Sequence, residues 1–235
     1  MASQRRSGRQ PLADKMYEVL LGQFTDGRWS AGEPVNIGAL SRELDVSQTP
    51  LREALARLEH TGLVHREALK GYRVAPLLTE LELIKLMDAR IVLESALAYE
   101  AACRTTPEFL QEVLTSVDDL ARAATSPDTK VFSAYWMIDE RFHLLIARQA
   151  ANPFLEKAYR SLGGQVQRFR FFAELGSTRG APGLAAEEHR AVHAALADGD
   201  APEASARMRH HIENAKQRVL TDRRSVEAAE LAAAR

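Results

Sequence analysis

The sequence predicts a mainly α protein in two parts: an N-terminal winged helix-turn-helix with a small β-hairpin, and a C-terminal all-α helical bundle. Three observations carry that prediction. Residues 36–62 read NIGALSRELDVSQTPLREALARLEHTG, two short amphipathic patterns around a break at Asp45-Val46-Ser47. Residues 63–77, LVHREALKGYRVAPL, hold two short β-patterns around a turn. From Thr79 onward the periodicity is helical throughout, cut only by Pro- and Gly-bearing breaks.

In the first stretch, Ile37, Leu40 and Leu44 are spaced i, i+3, i+7, and Leu51, Leu55 and Leu58 are spaced i, i+4, i+7. Each pattern buries one stripe and leaves the other face polar. Two short helices joined by a tight turn form a helix-turn-helix. The second helix opens with Gln48, Thr49 and Arg52, where a recognition helix meets base edges. Leu63-Val64 and Tyr72-Val74 flank a turn near Leu69-Lys70-Gly71, and this hairpin completes a winged helix. Lys70 and Arg73 bring positive charge to the wing. The candidate DNA-binding residues are Arg42, Ser47, Gln48, Thr49, Arg52, Lys70 and Gly71.

The remaining elements follow in order. Residues 1–10 read as a disordered basic arm with Arg5, Arg6 and Arg9. A first helix spans Pro11 to Phe24, with Leu12, Met16, Val19, Leu20 and Phe24 on its apolar side; Asp26-Gly27 breaks it. Trp29 to Val35 reads as a loop. The winged domain covers 11–77 and the bundle 78–223, with 224–235 as a tail that either frays or extends the last helix. Thr79-x-x-Glu82 is a capping box opening the first bundle helix, to about Arg104. Five more helices follow, starting near Thr106, Lys130, Asn152, Leu184 and Pro202, with a Gly/Pro loop over 176–183. Six helices of this length make a bundle.

Composition narrows the function. The 235 residues are 46% hydrophobic and carry a formal net charge of −1, which excludes a polycationic architectural DNA binder. Residues 1–77 hold 11 Lys/Arg against 9 Asp/Glu and the rest hold 20 against 23, a sign that suits DNA binding by the first part. Cys103 is the only cysteine and reads as a small buried helix residue, so neither a disulfide nor a cysteine-based zinc site is expected. There is no secretory signal pattern and no apolar run of membrane-span length, which predicts a soluble cytoplasmic protein without membrane contact.

One constellation in the bundle carries chemistry. Asp139 and His143 lie one turn apart on one helix; His189 and His211 lie on two others. A carboxylate and three imidazoles suit a divalent transition metal such as Zn, Ni, Mn or Fe, with positions left open for a carboxylate ligand. Spacing alone leaves the ligand choice ambiguous, because His193 follows His189 by one turn and His210 adjoins His211.

The motifs together resemble one family. LSRELDVSQTPLREALARLEHTGLV followed by KGYRVAPL is similar to the winged-helix signature of GntR-family transcription regulators. ARIVLESALAYEAA, DERFHLLIARQAANPFL and EEHRAVHAALADGDAPEASARMRHHI resemble successive motifs of the FCD-type effector domain of the FadR-like subfamily, and six helices resemble its VanR-like branch. The resemblance runs from about Pro11 to Val219. It implies a metal site of Asp139, His143, His189 and His211, with His193 and His210 outside the pattern. It also implies an effector contact for Arg90, in Arg-x-x-x-Glu, although an internal salt bridge to Glu94 one turn on is an equal alternative. Asn214, three residues after His211, is a second effector candidate.

These readings combine into an expectation: a ligand-responsive regulator, a repressor in the family's commoner mode. It binds palindromic operator DNA as a homodimer and responds to a small organic acid held at the metal. The rival is a metal-dependent enzyme using the Asp/His₃ site, against which stand the lack of HExxH or GxSxG and the presence of the winged helix. One departure is notable. Gln48 stands where many members of the family have Arg, and Gln pairs with adenine N6/N7 while Arg pairs with guanine O6/N7. The expected operator therefore differs from the family's usual one at that base.

Overall fold

The computed structural model describes residues 12–25, 28–60, 62–76, 78–125, 129–162 and 182–233. The basic arm, the breaks at 26–27 and 126–128, the second half of the fourth bundle helix and most of the 176–183 loop lie outside the described residues. The chain divides into two compact units, Met1–Pro76 and Leu77–Arg235.

The first unit contains α1 (Leu12–Thr25), β1 (Pro34–Val35), α2 (Ile37–Glu43), α3 (Gln48–His60), β2 (Val64–Glu67) and β3 (Gly71–Val74). α1 buries Met16, Leu20 and Phe24, and packs on α3, which buries Leu51, Ala54, Leu55 and Leu58. Losing one of these leucines leaves a cavity worth about 2–5 kcal/mol. Asn36 starts α2 by accepting a hydrogen bond from the Ala39 amide at 2.9 Å. α2 stops because Asp45 takes φ +50, a left-handed conformation that Asp tolerates better than most residues. Ser41 Oγ ties the turn by donating to the Val46 carbonyl at 2.6 Å.

The wing differs from the expected hairpin by one strand. Pro34 and Val35, read in sequence as loop, pair antiparallel with Arg73 and Tyr72, so the sheet has three strands in the order β1-β3-β2. Two residues are too few to show alternation, and Pro is tolerated because β1 is an edge strand. The β2–β3 turn places Leu69 at φ +64 and Gly71 at φ +89. Leu69 is fully exposed at the tip.

The second unit is entirely helical among the described residues: α4 (Glu80–Ala102), α5 (Pro107–Thr125), α6 (Thr129–Gln149), α7 (residues 153–162), α8 (Pro182–Ala197) and α9 (Ala201–Ala233). Thr79 and Glu82 form the expected capping box. One continuous core takes Leu83, Met87 and Leu97 from α4, Val113 and Val117 from α5, Phe142 and Ile146 from α6, Val192 from α8 and Met208 and Ile212 from α9. α4 and α9 pack along each other and are joined at the rim by Lys216–Asp88 and Arg224–Glu80 ion pairs. Arg223 Nε also donates to the Leu78 carbonyl at 3.0 Å.

Two expectations change here, and one left open is decided. Cys103 is not buried; it is the exposed C-cap of α4, because the helix ends at Ala102 and not near Arg104. α8 starts at Pro182, inside the stretch read as loop, since Pro is favourable in a first helical turn. Of the two alternatives for the tail, extension is the one found: α9 passes Arg223 and runs to Ala233, carried by an Ala- and Glu-rich segment with high helix propensity. Among the described residues no helix is long and apolar enough to cross a membrane.

Candidate functional site

Two polar sites stand out, one in each unit. The first lies at the start of α3 and on the wing. Arg42 on the last turn of α2, Ser47 just before α3, and Gln48, Thr49 and Arg52 on its first turns are all exposed. Gln48 and Arg52 are not independent: Arg52 Nη2 donates to Gln48 Oε1 at 3.1 Å. Lys70 and Gly71 are exposed at the wing tip, and Lys70 Nζ stands 3.5 Å from Glu67. Arg73, expected beside DNA, has another task. It is half-buried, donates from Nε to Glu67 Oε1 at 3.1 Å and from Nη1 to the Gly32 carbonyl at 2.5 Å, and so ties β3 to the loop before β1.

The second site is in the bundle, and all of it is buried. The i, i+4 spacing on α6 puts Asp139 and His143 on one face; α8 brings His189 and α9 brings His211. The last two helices meet through a three-residue joint, Asp198 to Asp200. Gly199 (φ +67) and Asp200 close α8 by donating backbone hydrogen bonds to the Leu196 and Ala195 carbonyls, and the Asp200 side chain then caps α9 by accepting from the Glu203 amide at 3.0 Å. Phe142 stacks on the His189 ring with centroids 3.8 Å apart, fixing its plane.

Four ligand atoms, one from each of Asp139, His143, His189 and His211, lie within 4.8 Å of one another. His189 Nε2 is 3.1 Å from His211 Nε2, which is 3.4 Å from His143 Nε2. Asp139 oxygens stand 3.5 Å from His189 Nε2 and 4.0 Å from His143 Nε2. The far nitrogens of two rings lie against carboxylates: His143 Nδ1 is 2.7 Å from Glu94 Oε2, an ion-pair contact without hydrogen-bond alignment, and His211 Nδ1 donates to Glu188 Oε2 at 2.7 Å. A carboxylate only accepts, so Nδ1 of His211 carries a proton, and in the neutral ring Nε2 is left with a bare lone pair. That lone pair faces the Nε2 atoms of His189 and His143 in a buried space, a setting that suits a shared cation. Two nitrogens bound ~2.1 Å from one ion stand roughly 3.0–3.4 Å apart, so the observed spacings fit a shared ion.

The surrounding charges are strongly biased. Burial pushes the His211 imidazole down to about 4, against an opposing hydrogen bond to Glu188. Burial works to raise the Glu188 carboxyl, but hydrogen bonds from His211 and Arg218 bring it to about 2. Glu94 behaves alike: burial opposes ionisation, while the charge of Arg90 and the neighbouring His143 ring pull it to about 2. Arg90 is 2% exposed and donates from Nε to Glu94 Oε1 at 2.5 Å, so the internal ion pair is the arrangement it adopts. Asn214 is half-buried and gives its amide hydrogens to Glu188 Oε1 at 2.9 Å and His210 Nε2 at 3.1 Å. His193 stands apart, with Nε2 3.2 Å from the Leu110 carbonyl.

Sequence reasoning missed Glu188 and Arg218. The signals are visible in retrospect: Glu188 immediately precedes His189, and Arg218 follows His211 by seven residues, two turns along the same face of α9.

An exposed recognition helix with a wing, joined to a helical unit with a buried polar centre, defines a winged-helix transcription regulator with a sensory bundle. Residues 12–74 match the family described as bacterial regulatory proteins, gntR family, and residues 85–214 match the FCD domain. The chain belongs to the GntR family of transcription regulators, in its FCD-containing group. It is 30% identical over 211 residues to a probable D-xylose utilization operon transcriptional repressor of Paenarthrobacter nicotinovorans, covering 90% of each chain. It is 31% identical over 189 residues to the Nta operon transcriptional regulator of Aminobacter aminovorans, covering 80% of this chain and 85% of that one. In fold it is similar to E. coli McbR/YncC, with a TM-score of 0.74 at 19% identity over 91% of this chain and 99% of the other.

Proposed function

We propose that this chain is a cytoplasmic repressor whose hold on operator DNA is set by a small organic acid, bound at a divalent metal in the bundle. The observation that carries the reading is the convergence of Asp139, His143, His189 and His211, with the His189 and His143 Nε2 atoms 3.1 and 3.4 Å from His211 Nε2. Zn, Ni, Mn and Fe all suit this donor set. When bound, the metal supplies a positive charge with positions open to a carboxylate ligand. Arg90 and Asn214 are the effector contacts in this reading, and an effector reaching them exchanges with Glu94 and Glu188, which hold them in the structure described here. Repression follows the printed function of the D-xylose relative.

DNA recognition falls to Ser47, Gln48, Thr49 and Arg52 at the base edges, with Arg42, Lys70 and Gly71 alongside the backbone. The working unit is a homodimer on a two-fold operator. Leu81, Val92 and Tyr99 support it: all three are exposed, and their spacings of eleven and seven put them in one line along α4.

Two experiments test the proposal. A mobility-shift assay with the gene's own promoter, with and without organic acids, should give a retarded complex that at least one acid weakens. No retardation under any condition sinks the reading. Elemental analysis should find metal in the wild type and little in a His143→Ala/His211→Ala variant; equal content in both rules out the site.

A further inference from the structure

We infer that Glu94 and Glu188 are the positioning carboxylates of the metal centre, each holding one ligand histidine by Nδ1 and each anchored by its own arginine. The inference rests on the metal reading above. It names two arms, Arg90–Glu94–His143 and Arg218–Glu188–His211, that meet at the ion from different helices.

Each arm divides one carboxylate between two partners. On the first, Glu94 Oε1 accepts from Arg90 Nε at 2.5 Å while Oε2 lies 2.7 Å from His143 Nδ1. On the second, Glu188 Oε2 accepts from His211 Nδ1 at 2.7 Å and Arg218 Nη2 at 2.8 Å. Its Oε1 accepts from Arg218 Nη1 and Asn214 Nδ2, each at 2.9 Å. A salt bridge built for stability alone has no need of the histidine. Here the imidazole takes a share of the carboxylate in both arms, and in both it does so through the nitrogen that points away from the cluster.

The chemistry follows from that placement. An ionised carboxylate at Nδ1 fixes the tautomer with Nε2 bare, restrains ring rotation and makes Nε2 a stronger donor. The arginine keeps the carboxylate ionised in a buried place and stops it from turning inward as a ligand itself. α4 supplies no ligand to the cluster, yet Glu94 ties it to His143, so four helices share the centre: α4, α6, α8 and α9.

The test measures Zn(II) affinity of the full chain by competition with a chromophoric chelator, beside the melting temperature of the metal-free protein. Glu188→Gln keeps the shape and removes the charge. It should bind Zn(II) about 10–100-fold more weakly than wild type while remaining folded at the assay temperature. Arg218→Ala, which leaves every ligand and both carboxylates in place, should fall in the same direction and stands in if the first variant does not fold. Wild-type affinity in both variants, with only the metal-free melting temperature lowered, overturns the inference and leaves the metal reading intact. A wild type that does not bind Zn(II), Ni(II), Mn(II) or Fe(II) removes the metal reading, and this inference with it.

Discussion

The two polar regions of this molecule are built on opposite terms. At the start of α3 the side chains are exposed and lightly engaged, with the Gln48–Arg52 bond as the chief restraint on the reading face. In the bundle the polar groups are buried and locked, with two glutamates shared between arginines and histidines. The difference suits the partners proposed for each region. A duplex is long and brings its own shape, so a reader of it needs reach. A single ion would bring no shape, so the protein would have to supply all of it in advance.

Perturbations that act on one region and spare the other sharpen this contrast. Arg90→Met leaves Glu94 buried without its cation and should cost the bundle about 3–5 kcal/mol, read as a lower urea midpoint. In a variant whose only tryptophan is Trp29, fluorescence reports the first unit while far-UV circular dichroism is dominated by the helices of the bundle, and only the latter transition should move. Metal removal comes next. An ion present at a thousand times its Kd adds about 4 kcal/mol, so a chelator should lower the bundle transition by roughly 8–16 °C and leave the Trp29 transition in place. A uniform shift in both would break the contrast.

Acid is a third lever. The His211 imidazole takes its proton near 6.5 in the unfolded chain but near 4 in the folded one. Between those values the unfolded state binds more protons, so stability rises with pH across that window and is lost as pH falls through it. The urea midpoint of the metal-free bundle should therefore drop between pH 7 and pH 5. On the reading face, Gln48→Arg should move the preferred half-site base from adenine to guanine, a discrimination of about 1–3 kcal/mol. Selection from random DNA measures it, and identical motifs with and without the substitution end the idea. The smallest effect is at the wing tip. Leu69→Gly relieves a left-handed backbone that costs a branched side chain about 1 kcal/mol, and should raise the first transition by a few degrees.

The sequence was most legible where one element contains its own signal. The leucine spacing of α2 and α3 and the Thr79–Glu82 box are local patterns, and the structure shows both. β1 was illegible because two residues carry no period; only the pairing of Val35 with Tyr72 makes them a strand. Cys103 misled because residue type suggested burial while the helix end decided exposure. In the bundle, spacing picked out histidines but could not choose His189 over His193; the structure separates them by sending His193 toward the Leu110 carbonyl. Glu94 and Glu188 were invisible as partners of His143 and His211. Glu94–His143 joins α4 to α6 and Glu188–His211 joins α8 to α9, and contacts across helices leave no periodic trace.

The Asp198–Asp200 joint carries a consequence for how this chain can change. With three residues between α8 and α9, the helices leave little slack between His189 and His211. One residue inserted in α9 ahead of His211 turns that side chain by about 100° and advances it about 1.5 Å, away from its neighbours. Substitutions elsewhere on these helices alter packing by degrees, but a change of length between the two histidines is all or nothing. What a descendant of this chain must inherit is a count as well as a set of side chains.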